Sequence, residues 1–295
     1  MNTAEVYEKV TNRIIAALES GSAPWRKPWT GGAPTSIHGR PYRGINSLIL
    51  YLVGQEAGYR SHVWVTFNQA RERGGSVRRG EKGTTVLLWK PTKGKPAADG
   101  TPSERPGFYA TTYTVFNLDQ CEGVQVPAAL SLVRNDGSPM AAAEAIVEGW
   151  AGKPELAWGG SRACYSPMAD VVRMPVPESF ETMGHYYGTL FHELTHSTGH
   201  ESRLNREGVA GRIEFGSHTY SKEELIAEMG AAFLCARAGI ESPAIEGNQA
   251  AYLRNWLTVL KGDRKMLVQA ASAAQKAADM ILGESAAQAP AAEAA

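Results

Sequence analysis

The 295-residue sequence has little cysteine, no excess charge and no long apolar run, and each shortage excludes something. Its three cysteines, Cys121, Cys164 and Cys235, are odd in number, widely spaced and form no CxxC pair, so a disulfide framework is excluded and a reducing compartment fits. Apolar stretches are broken well before the roughly 20 residues a bilayer-spanning helix needs. The first residues, Met1-Asn2-Thr3-Ala4, lack a basic-then-apolar signal pattern, and a cytoplasmic protein with no membrane partner is expected. With 43% apolar and 20% charged residues, the chain is neither a disordered polyelectrolyte nor short of core material. Its length suits two domains.

The formal net charge of zero, from 30 basic and 30 acidic residues, is a cancellation. Residues 1–130 carry 16 Lys and Arg against 10 Asp and Glu, a balance of +6, and residues 131–295 carry 14 against 20, a balance of −6. Between Pro24 and Lys95, 13 basic residues face only Glu56, Glu72 and Glu81. Interleaved with them stand aromatics including Trp25, Trp29, Tyr42, Tyr51, Tyr59, Trp64 and Trp89. Cations along phosphates and flat faces for unpaired bases are the needs of single-stranded nucleic acid. The candidate binding residues are Trp25, Arg26, Lys27 and Trp29, then Arg40, Tyr42 and Arg43, then Trp64, and then Arg71, Arg73, Arg78, Arg79 and Lys82. No helix-turn-helix or zinc finger is evident, which argues against sequence-specific duplex reading. A soluble domain whose aromatics are core and whose cations are solvated is the competing reading.

Periodicity predicts helices over Thr3–Leu18 and Asn46–Ala57. Strands are expected at Val63–Phe67, Thr84–Trp89 and Phe108–Val115, with Lys90–Pro106 as an exposed loop between the last two. In the second half, helices are expected over Met140–Trp150, His185–His200, Lys222–Ala238, Asn248–Leu260 and Arg264–Leu282. Cys164–Pro175 reads as an edge strand suited to an extended peptide, or as plain sheet. Cys164 and Cys235 read as small buried hydrophobes. The fold class is α+β in two domains, residues 1–127 and 128–285, followed by a disordered tail, 286–295.

His192-Glu193-Leu194-Thr195-His196 contains HExxH. Two histidines four apart on a helix lie about 5–6 Å apart at Cβ, so both imidazoles can hold one Zn²⁺, or another divalent transition metal. Glu193, one residue after the first ligand, can act as general base toward water. Two carboxylates on the downstream helix compete as third ligand. Glu228 stands inside an apolar run, where a buried carboxylate needs a metal or a cation, and Glu224 lies one turn earlier. His200 lacks the spacing of a metzincin ligand.

These motifs resemble the ArdC-type antirestriction proteins of conjugative plasmids over essentially the whole chain. In the first half the resemblance rests on Pro24-Trp25-Arg26-Lys27-Pro28-Trp29, Tyr42-Arg43-Gly44-Ile45-Asn46, Thr66-Phe67-Asn68-Gln69-Ala70, Gly80-Glu81-Lys82-Gly83 and Val115 to Cys121. In the second it rests on HExxH and Glu223-Glu224-Leu225-Ile226-Ala227-Glu228. It implies a single-stranded DNA-binding domain, a zincin-like metallopeptidase domain and protection of incoming plasmid DNA, with host restriction-modification proteins as candidate targets. Two alternatives stay open. One is a DNA-coating protein with a structural or vestigial metal site, and the other a regulatory metalloprotease whose basic half binds protein.

Overall fold

The computed structural model describes residues 3–20, 25, 33–91, 108–127, 130, 138–211, 217–240 and 249–284. Arg26, Lys27, Trp29, the loop expected after Lys90 and the expected tail lie outside the described residues, wholly or nearly so.

The first half opens with α1 (Thr3–Glu19), whose Val10, Ile14, Ile15 and Leu18 are buried. Next come β1 (Thr35–Ser36) and α2 (Ile45–Ala57), which ends where Gly58 adopts a left-handed conformation at φ 68°. β2 (Val63–Val65), α3 (Phe67–Glu72) and β3 (Ser76–Val77) follow. The expected strand Val63–Phe67 therefore stops early. Thr66 caps α3, accepting from Gln69 N while the Gln69 side chain accepts from Thr66 N, and this reciprocal cap turns Phe67 into a first-turn helix residue. β4 (Thr84–Pro91), β5 (Phe108–Asn117) and β6 (Cys121–Glu122) complete this half. The main sheet runs β1-β2-β5-β4, parallel at β1/β2 and antiparallel elsewhere, and β3 pairs with β6 separately. α2 contacts β4, and its Asn46 is bonded both ways to the Leu87 backbone.

The second half comprises α4 (Pro139–Gly149), β7 (Glu155–Trp158), β8 (Cys164–Ser166), β9 (Val171–Met174), α5 (Met183–Ser197), the one-turn α6 (Glu207–Ala210), α7 (His218–Ala238), α8 (Gln249–Gly262) and α9 (Met266–Leu282). The expected edge strand Cys164–Pro175 is two strands. Asp170, at φ 50°, helps form the turn between them, and the sheet order β7-β9-β8 leaves β8 as one edge. Cys235 is buried as expected, whereas Cys164 is exposed on that edge.

Both halves share one continuous core. Trp25 meets Trp256 of α8 edge to face at 5.5 Å. α7 is buried along most of its length because α5 and α9 both pack on it, which places its acidic first half against HExxH.

Candidate metal centre and basic surface

Thr182 caps α5 by accepting from His185 N, and the helix then carries its apolar residues inward. Two turns in, His192 and His196 project from one side, with their Nε2 atoms 3.1 Å apart. Glu224, in the second turn of α7, brings Oε2 to 3.7 Å from His192 Nε2 and Oε1 to 3.8 Å from His196 Nε2. One donor atom from each of the three lies within 4.8 Å of the others. Tetrahedral coordination at about 2.0–2.1 Å sets donors roughly 3.3 Å apart, so two nitrogens and one oxygen at these spacings fit a divalent ion with small adjustments. Glu228 is buried one turn further along α7 and is not part of this group. Of the two carboxylates left open by the sequence, the fold brings Glu224 to the histidines.

Behind the site lies a carboxylate that sequence reasoning missed. Glu223, 4% exposed, places Oε1 3.3 Å from His196 Nδ1 and accepts from Arg206 Nη2 at 2.6 Å, while its Oε2 accepts from Arg206 Nε at 2.9 Å. Arg206 also donates to the carbonyls of Thr195 and His196 and to Thr198 Oγ1. A carboxylate on the far nitrogen of a metal-binding imidazole selects its tautomer and holds its plane. Burial would lower the His196 pKa, but its bond to Glu223 and the charges of Glu224, Glu223 and Glu193 outweigh it and hold the free imidazole at about 9. Burial likewise opposes ionisation of Glu223, and its bonds to His196 and Arg206 prevail, keeping its pKa low. The close approach needs glycine: a Cβ on Gly230 would meet Thr195 Cγ2 of α5 at 2.5 Å, and one on Gly208 would meet Glu223 Cβ at 2.7 Å.

Glu193 faces the sheet edge, where its Oε2 accepts from the Tyr165 backbone N–H at 2.7 Å. β8 is held in turn by Arg203. That guanidinium donates to Ser197 O at 2.7 Å, to Asp170 Oδ2 at 3.0 Å and, through Nη2, to Asp170 Oδ1, while Tyr165 Oη donates to Asp170 Oδ1 at 2.8 Å. The Arg203 bond keeps the Asp170 carboxyl below its ordinary pKa. The C-terminal end of the HExxH helix and the turn of the β8–β9 hairpin thus share one cation. His200 contacts Ser202 instead of the metal group.

The basic residues divide. Trp25 is fully buried and Trp64 is 1% exposed, so neither presents a face to a base; both are core. Arg43, expected on phosphates, pairs with Asp279 and Glu284 around the end of α9. Tyr42 is half-buried, with burial and Tyr113 raising its pKa. Arg78 is bonded to Glu81 at 2.8 Å and to Asp119 O at 2.6 Å. Arg40, Arg71, Arg79 and Lys82 are exposed, Arg73 is half-exposed, and none has an ion pair with a described residue.

A family model described as the N-terminal domain of anti-restriction factor ArdC matches residues 4–116, and one described as a zincin-like metallopeptidase matches residues 141–273. Protein y4eC of Sinorhizobium fredii is 35% identical over 291 residues, covering 94% of this chain and 91% of its own. A DNA primase TraC of Escherichia coli is 36% identical over 299 residues, and the chain spans only 27% of that primase's length. The crystal structure of the antirestriction ArdC protein from plasmid R388, metal-free, superposes with a TM-score of 0.75 at 40% identity, covering 93% of this chain and 96% of that one. The Mn(II)-bound structure of the same protein gives 0.75 at 39% identity, covering 94% and 97%.

Proposed function

The chain belongs to the ArdC antirestriction family, and from that premise we propose that it binds single-stranded plasmid DNA through residues 1–127, protects it from host restriction in the cytoplasm, and carries a zinc peptidase site within residues 128–285. The observation that carries the enzymatic part is the convergence of His192, His196 and Glu224 beside Glu193. Two imidazoles and one carboxylate leave a coordination position open, the donor set of a catalytic zinc site. Bound there, Zn²⁺ would supply Lewis acidity toward a carbonyl oxygen and toward water.

The remaining chemistry belongs to the chain. Glu193 takes the proton that water loses as it attacks a peptide carbonyl, and returns it to the departing nitrogen. The Tyr165 N–H orients that carboxylate from β8, and the open edge of β8 offers backbone groups to an extended substrate chain. Glu223 and Arg206 hold His196 in place. Host restriction-modification proteins are the proposed substrates. The DNA-binding part is supported by the exposed Arg40, Arg71, Arg79 and Lys82 and by the N-terminal family match.

A second reading, protection by coating alone, is favoured by the same exposed cations, because coating needs no hydrolysis. Conjugation into a restricting host, with wild type beside Glu193→Ala, separates the two. Proteolysis predicts loss of protection with oligonucleotide affinity intact, and coating predicts that both survive. If the wild type gives no protection and binds no oligonucleotide, both readings fall.

A further inference from the structure

In the first half, a shallow, half-open cleft lies between the end of α2, the turn after it and β2. Its floor is apolar, from Leu50, Gly54 and Trp64, and Tyr59 stands as a wall with its ring edge to face on Trp64 at 6.0 Å and 72°. Its mouth is polar, from Gln55, Arg60, Ser61 and His62.

The polar side is built in advance. Asp119 Oδ2 accepts from both Arg60 N at 2.5 Å and Ser61 N at 3.3 Å, and Asn117 Nδ2 donates to Ser61 O at 2.9 Å. Ser61 Oγ accepts from Val63 N at 3.1 Å, which leaves its O–H to donate. Burial lowers the His62 pKa, so the neutral ring presents one donor and one acceptor. The Arg60 side chain is exposed at the mouth. Burial and then Glu81 raise the Tyr59 pKa, Arg78 opposes them and Asp119 adds to the rise; Glu81 is committed to Arg78 and Gln120, and Asp119 to the backbone of Arg60 and Ser61.

An aromatic wall, fixed hydrogen-bonding edges and a bordering cation are what a splayed-out base with its phosphate requires. We propose that this cleft receives one unstacked nucleobase of single-stranded DNA, with an adjoining phosphate on Arg60. The proposal rests on the DNA-binding reading above and adds a place to it.

The test uses the full chain and a short fluorescein-labelled oligothymidine, read by anisotropy across a salt series. Tyr59→Ala removes the wall and should weaken binding about tenfold, while Tyr59→Phe should match wild type. Gly54→Leu fills the cleft from its floor. A Cβ at Gly54 meets nothing closer than Trp64 at 4.0 Å, so this variant tests the cleft independently of Tyr59→Ala. It should cost a similar factor with the salt slope unchanged, whereas Arg60→Ala should lower the slope by about one. Wild-type affinity in both Gly54→Leu and Tyr59→Ala overturns the cleft and leaves DNA binding elsewhere on this half standing. No binding by wild type overturns the cleft and the DNA-binding reading together.

Discussion

Arg206 grips Glu223 through two nitrogens, Nε at 2.9 Å and Nη2 at 2.6 Å, directly behind the imidazole of His196. Both side chains are largely buried, at 11% and 5% exposure, so the pair cannot be dissected without cost. Arg206→Ala leaves a buried carboxylate without its cation and should destabilise the protein by about 3–5 kcal/mol, seen as a lower melting temperature with metal chelated. Glu223→Gln keeps the shape and should weaken zinc binding about 10- to 100-fold in a competition titration. Unchanged zinc affinity in Glu223→Gln would remove Glu223 from the site.

The third ligand is decided by comparing two neighbours. Glu224→Ala should abolish stoichiometric metal in the purified protein, measured by elemental analysis after equilibration with Zn²⁺ or Mn²⁺. Glu228→Gln should load as wild type does. The reverse pattern would transfer the ligand role one turn along α7.

The metal-free protein should respond to pH through His196. Its folded pKa of about 9 is above the ordinary 6.5, so its charge contributes about 3 kcal/mol of stability that is fully present below pH 6.5 and lost as pH rises through 9. Glu223 acts oppositely, since its lowered pKa gives stability present above about pH 4.5 and lost as pH falls through the folded value. Denaturant melts in chelator should therefore show stability falling from pH 6.5 to 9.5. Zinc affinity should rise over the same interval, because the ligand must shed its proton. A flat profile on both counts contradicts the assignment.

Trp25 tests whether an aromatic in the basic half serves DNA or the core. Its indole packs edge to face on Trp256 at 5.5 Å, so Trp25→Ala should cost about 3–5 kcal/mol of stability. Oligonucleotide affinity, measured well below the new melting temperature, should stay near wild type. A stable variant that no longer binds would return Trp25 to the interface.

Arg43 makes the parallel case for a cation. Bound to Asp279 and Glu284, it links the first half to the end of α9. Arg43→Ala should lower stability by about 1–3 kcal/mol and leave the salt dependence of DNA binding unchanged. A slope reduced by about one would mean that a phosphate takes this guanidinium from its carboxylates.

Elements whose signal is local were legible. The HExxH pair follows from an i, i+4 spacing on one helix, and the helices at Thr3–Glu19, Ile45–Ala57 and Met266–Leu282 follow from apolar period and, for the last two, a terminal glycine. The hairpin within Cys164–Met174 was not, because its turn depends on Asp170 taking a left-handed conformation under the hold of Arg203. Nor could spacing reveal Glu223, whose partners are 17 and 27 residues away.

What the sequence by itself determined was the inventory: a basic, aromatic half, an acidic half, and two histidines and a glutamate spaced for metal chemistry. Tertiary structure decided the assignments. Glu224 and Glu228 are equivalent as residues four apart, and only the crossing of α7 over α5, made close by Gly230 against Thr195, brings one of them to the histidines. Trp25, Trp64 and Arg43 look alike in sequence to residues that bind DNA, yet burial and ion pairing turn them inward. Composition states which groups a chain possesses, whereas a side chain's work depends on what packs against it, and that is set by contacts between residues far apart in the chain.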